Sequence, residues 1–195
     1  MLKSRLVALD GKDQGLVLRL TERPALIADN AARAALRAIS VEPDGGAPAL
    51  ALLHTPTVRA IGPAGNDLLM PFIDARVITD SPQIPPRRFD IKRDLKDWHN
   101  VAKLQQAALL LHVGFLIGRK PLDVPVAFTA AQILQGSADI AVTFCSPHIA
   151  AVLESGKATY REVETVLSLE DIYNIVEILN VAALRDWAAH NAAKP

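Results

Sequence analysis

The chain has 195 residues, half of them hydrophobic, with 21 Lys and Arg against 21 Asp and Glu and a formal net charge of zero. That length suits one domain or two small ones with a sizeable core, while the missing positive charge removes any bulk reason to grip nucleic acid or anionic lipid. The single cysteine, Cys145, excludes an internal disulfide, and the longest apolar stretch, Ala107 to Gly118, is well short of the roughly 20 residues a membrane span needs.

The N-terminal residues lead into an apolar run, Leu6 to Leu9, too short for a signal-peptide core. Runs 4–9 and 15–20 flank a polar segment bracketed by Gly11 and Gly15, which predicts a small β-hairpin. Thr21-Glu22-Arg23-Pro24 then opens a helix over Ala25–Ile39, with Pro24 in the tolerated first turn. Ile27, Ala31, Ala34 or Ala35, and Ala38 trace its apolar stripe. After the Pro43–Gly46 break the sequence allows a short helix at 49–54 and predicts another over Asn66–Arg76. Pro82, Pro85 and Pro86 make 80–88 an extended connection.

From Asp90 to Gly118 nothing breaks a helix, and Val101, Leu104, Ala108, Leu111 and Phe115 recur in steps of three and four. The first half is charged and the second is apolar nearly all round, so one end is wet and the other deep. Residues 123–145 are ambiguous, with a helix favoured at 129–134. Ser146-Pro147 starts a short helix that Ser155-Gly156 ends, and Thr159-Tyr160-Arg161-Glu162 has the capping-box pattern for another, running to about Leu167. Ser168-Leu169-Glu170-Asp171 gives a similar start to a last helix reaching about His190, with Leu169, Ile172, Tyr173, Val176, Leu179, Ala183 and Trp187 on its apolar face. The expected fold is mainly α: a helical domain with a small N-terminal β-hairpin. It divides into residues 1–118, a connector at 119–144, and a C-terminal helical part, 145–195.

Motifs that carry chemistry are weak. The phosphate-loop pattern G-x-x-x-x-G-K-[ST] would put a glycine where Ala151 stands and a Ser or Thr where Ala158 stands, so Gly156-Lys157 reads as a helix stop. Cys145 and His148 have metal-ligand spacing, but no second pair completes a site. Asp90, Asp94 and Asp97 share a helix face with His99, yet Lys92, Arg93 and Lys96 interleave with them, as on a salt-bridged solvated face. His112, in the apolar half of the long helix, reads as a satisfied core or interface histidine. A tight turn joins the last two helices, as in DNA readers, but Glu170, Asp171 and Glu177 would repel phosphates. The one basic patch, Arg87 to Arg93, suits solubility, loop packing or a contact with an acidic partner. No catalytic residue, cofactor or metal ligand is assigned.

Three segments in order resemble the tail assembly chaperones of long-tailed bacteriophages: Gly15 to Ala25 with the alanine-rich helix through Leu36, Arg88 to Phe115 ending in Leu111-His112-Val113-Gly114-Phe115, and Val166 to Leu179 around Ser168-Leu169-Glu170-Asp171-Ile172-Tyr173. The resemblance covers about half of the chain, and residues 71–86 depart from it. It implies a non-catalytic protein of the host cytoplasm that coats the tape-measure protein and brings tail-tube subunits to it. Residues 1–118 would then bind the tape measure and the C-terminal part would recruit the tube. The expected partner-binding residues are Leu111, His112, Phe115, Leu116, Leu169, Ile172, Tyr173 and Val176. Self-association is expected when the client is absent, and neither nucleic acid nor a membrane is an expected partner. The alternative is another phage structural or adaptor protein acting by protein–protein contacts.

Overall fold

The computed structural model describes residues 2–38, 72–78, 84–120, 122–126, 128 and 142–193. The helices expected at 49–54 and 129–134 lie outside them. The predicted hairpin is formed by β1 (Ser4–Ala8) and β2 (Val17–Thr21), paired antiparallel with Val7 opposite Leu18. It is not alone. Strands β3 (Asp74–Ile78) and β4 (Arg87–Arg88) extend it into a four-stranded antiparallel sheet in the order β1-β2-β3-β4. The architecture is therefore mixed α/β rather than mainly helical, and the end of the segment expected as a helix, Asp74–Arg76, is strand.

The reason lies in alternation with a partner. Ala75 and Val77 point into the core and Arg76 points out, and the register sets Leu20 opposite Ala75 and Leu18 opposite Val77. Asp74-Ala75-Arg76-Val77 alternates polar with apolar over only four residues, the shortest run that argues for a strand. An apolar strand edge already in place selects it. Phe89 N–H donates to the Ala75 carbonyl at 3.0 Å and prolongs the β3–β4 pairing.

The six α-helices bounded within the described residues pack on one face of this sheet or on one another. Helix α1 (Ala25–Ala38) starts one residue after Pro24, and its first amide donates to the Leu167 carbonyl at 2.7 Å. Its buried face comprises Ala25, Leu26, Ala28, Ala31, Ala32, Ala35 and Leu36, whereas Ile27 and Ala34 are exposed. Of the expected stripe, Ala31 and Ala35 are buried and Ile27 is not; alanine stands on nearly every side of this helix, so the pattern alone could not choose between Ala34 and Ala35.

The long helix expected over 90–118 is broken into α2 (Ile91–Asp94), α3 (His99–Val113) and a 3-10 turn at Gly114–Leu116. Asp90 caps α2 by accepting from the Lys92 and Arg93 amides, and Leu95 is extended. Asp13, buried in the hairpin loop, causes the break. Its carboxylate accepts from Lys96 N–H at 2.8 Å, Asp97 N–H at 3.0 Å and the Asn100 amide at 2.9 Å. The two backbone amides would otherwise have donated within a continuous helix. Asn100 also bonds both backbone groups of Asp10, donating to its carbonyl and accepting from its N–H.

Gly11 (φ +60) sits in this junction, and a Cβ there would collide with the Asp97 carboxylate, which also accepts from the Lys12 and His99 amides. Gly15 (φ +92) has nothing within 4 Å of the same position. Gly15→Ala is expected to cost about 1 kcal/mol for the left-handed backbone alone, and Gly11→Ala about 2 kcal/mol or more because the Asp97 contacts are also disturbed. Urea unfolding of the two variants side by side checks this; equal losses would show that Asp97 does not hold the loop.

At the C-terminal end, α4 (Pro147–Glu154) has proline in its first turn and is stopped by Gly156 at φ +68. Helices α5 (Tyr160–Thr165) and α6 (Leu169–Ala192) both start with complete capping boxes, Thr159 with Glu162 and Ser168 with Asp171. One hydrophobic cluster runs from Val7, Leu18 and Leu20 of the sheet through α1 and α3 to Ile149, Val163 and Ile172. It thus draws on both the 1–118 and the 145–195 segments. No helix among the described residues is long and apolar enough to cross a membrane.

Candidate partner-binding surface

The eight residues singled out from sequence separate into an interior set and a surface set. His112 and Ile172 are fully enclosed and Leu169 nearly so. Leu111, Phe115, Leu116, Tyr173 and Val176 are half-buried. The interior three are committed to this chain's own core, because the helices that carry them face each other and the sheet.

His112 is held from two sides. The Arg23 N–H donates to its Nε2 at 2.7 Å, and its Nδ1 lies 2.7 Å from the Ala108 carbonyl. A carbonyl can only accept and an amide can only donate, so the ring is neutral with its proton on Nδ1. The edge of Phe72 meets it at 5.3 Å between ring centres. Burial holds its pKa below the ordinary imidazole value; the Ala108 carbonyl works against this and the Arg23 charge adds to it. His112 is thus a strut between α3 and the β2–α1 junction.

The two half-buried groups meet. Phe115 and Tyr173 touch edge to face at 5.3 Å, joining the end of α3 to the first turns of α6. The other side of Tyr173 is stacked on His148 of α4 at 4.8 Å. Burial, with a contribution from Asp29, pushes the Tyr173 hydroxyl up to about 12, so it stays protonated. Arg119 lies 5.9 Å over the Phe115 ring, donates to Asn174 at 3.0 Å and pairs with Glu177. Beyond this ring cluster, α6 continues with Asn174, Glu177, Ile178, Val181, Ala182 and Arg185 lining a shallow hollow of about 490 Å³. Ile178 is 65% exposed. Farther along, Trp187 meets Phe128 edge to face at 5.7 Å.

Asp29 was not singled out from sequence. It sits in the alanine stripe of α1, is buried, and accepts from the Ser146 N–H at 3.0 Å at the start of α4. Burial raises its pKa, while the Ser146 bonds and the charges of Arg33 and His148 oppose the rise. An acid inside a stripe of alanines is the signal that marks it. Its effect on Cys145 runs against nucleophilic chemistry: burial, and then the Asp29 charge, push the thiol pKa up, so the reactive thiolate is disfavoured. Among the described residues no three His, Cys, Asp or Glu side chains gather closely enough to hold a metal ion. Of the spaced carboxylates, Asp90 caps α2, Asp97 anchors the hairpin loop, and Asp94 is held well below the usual carboxylate range by Arg93 and Arg87, against the effect of its burial.

The chain matches no family model, no curated protein and no solved structure. The geometry is that of a helical surface with apolar rings, an apolar helix edge and a few paired charges.

Proposed function

We propose that this protein is a tail assembly chaperone of a long-tailed bacteriophage, which holds the tape-measure protein in the host cytoplasm, brings tail-tube subunits to it, and does so without covalent chemistry. The ordered likeness of its three segments to that family motivates the reading. The observation that carries it physically is the disposition of α6. Of its 24 residues only Leu169 and Ile172 are buried, and the following turns keep Val176, Leu179, Val181, Leu184 and Trp187 half-buried and Ile178 exposed. A helix edge of that kind suits helix-in-groove contacts with another helical polypeptide. An unassembled tape measure, long, helical and apolar, needs such cover, and the same edge favours self-association while no client is present.

Co-expression with the tape-measure protein of the same phage tests the reading. The client's soluble fraction should rise with this protein and fall back with Ile178→Lys, a change at an exposed position that leaves the core intact. In sedimentation the protein alone should exceed its monomer mass of 21.0 kDa, and Ile178→Lys should shift it toward monomer. Client solubility that is indifferent to the protein would end the proposal.

A further inference from the structure

The sheet gives one face to the helices and the other to solvent. On the solvent face the register sets Leu6 opposite Arg19, Arg19 opposite Arg76, and Arg76 opposite Arg88, so a single row crosses all four strands. All four side chains are exposed. With strands about 4.8 Å apart, the three arginines stand in a line about 10 Å long. Like charges directly opposed across strands destabilise a sheet, and no ion pair among the described residues offsets them. None of the ion pairs among the described residues involves Arg19, Arg76 or Arg88. Arg88 is bonded only through its backbone carbonyl, by Arg87 and Arg93. Asp74, an acid on this face of β3, belongs to another row and pairs with Arg23 at 3.4 Å. Asp94 is taken up by a two-pronged bond from Arg87, at 2.7 and 2.9 Å, and by Arg93. Carboxylates are thus supplied to the neighbouring arginines and withheld from the row.

We infer that this row is a docking site for an acidic helical segment of a partner protein, laid across the strands. Carboxylates at positions i, i+3 and i+7 of a helix share one face and lie about 4.5 and 10.5 Å along the axis from the first, close to the strand spacing of the row. The arginine fork matches a carboxylate in two-pronged geometry, and Leu6 at the end of the row offers apolar contact to the helix's shoulder. A single-stranded nucleic acid fits less well. Sheets that bind one stack its bases on aromatic rings, and no outward position of β1 to β4 carries an aromatic residue. The row lies on the side of the sheet away from the helices, so the inference stands independently of the tail-assembly reading.

A fluorescein-labelled, alanine-based helical peptide with Glu at i, i+3 and i+7, and its Gln counterpart, test it by fluorescence anisotropy at low salt. The Glu peptide should bind more than about tenfold tighter than the Gln peptide, through three ion pairs whose attraction salt screens. Arg76→Gln should weaken the Glu peptide about threefold, and Arg19→Gln/Arg76→Gln/Arg88→Gln should erase the preference, with circular dichroism checking the fold. If the triple variant does not fold, Arg76→Gln alone decides. Equal binding of the two peptides, undiminished binding by a folded arginine variant, or displacement of the peptide by single-stranded DNA at lower concentration than by unlabelled Glu peptide would each overturn the inference.

Discussion

Asp13→Ala is expected to lower the free energy of unfolding by about 3 kcal/mol, because three donors lose their acceptor at one site and each buried donor left unmade costs about 1–3 kcal/mol before water compensates. The donors are the Lys96 and Asp97 amides and the Asn100 side chain. Asp13→Asn should lose about half as much, since one amide oxygen can still accept but the nitrogen opposes a donor. The pH dependence has a definite sign. Burial alone would raise the Asp13 pKa, yet the bonds from Lys96, Asn100 and Asp97 bring it below its ordinary value. A depressed carboxylate contributes stability that is present above the unfolded pKa and lost as pH falls through the folded one. Acidification below about pH 4 should therefore cost the wild type more than Asp13→Asn. Chemical denaturation across that range is the check, and parallel curves would show that Asp13 carries no folding charge.

His112→Leu should cost about 2–4 kcal/mol, combining an orphaned Arg23 amide with the lost edge contact to Phe72. Leucine is close to histidine in size, so a cavity contributes little. The imidazole pKa is depressed on folding, so its contribution is complete above the unfolded value of about 6.5 and declines as pH falls below that. Asp29 and Glu22 act in the opposite sense. Burial raises both of their pKa values, so the cost of keeping them charged is relieved on acidification. The informative quantity is therefore the difference between wild type and His112→Leu. That difference should shrink between about pH 7.5 and about pH 5.5, as measured by Tm at each pH; a constant difference would mean that the buried ring is not neutral.

His112 also measures what a single sequence could reveal of the candidate surface. His112 was visible as a histidine on an apolar helix, but periodicity could not tell a partner-facing position from an interior strut. That choice depends on Arg23 and Phe72, both far away in the chain. The same holds for Leu169 and Ile172, whose apolar character is equally compatible with core and with interface. The Phe115–Tyr173–His148 ring cluster joins the turn after α3 to α6 and α4 and was beyond local reading, although Phe115 and Tyr173 were each recognised as belonging to apolar faces. The arginine row is invisible along the chain, since Arg19, Arg76 and Arg88 become neighbours only through strand register.

What the sequence determined by itself is local and covalent in reach: the hairpin at 4–21, the helix after Pro24, the Pro147 start, the glycine stop at 156, and the two capping boxes that open α5 and α6. Each depends on backbone preferences and on side chains within a few residues of the groups they satisfy. Tertiary structure decided the rest. It turned 74–78 into a strand by offering Leu18 and Leu20 as pairing partners, chose Ala35 over Ala34 on the alanine-rich helix, and cut the long helix at Leu95, where the Asp13 carboxylate draws its amides away from the helix. In each case the local options are nearly equal in free energy, and a group distant in sequence supplies the small difference that selects one.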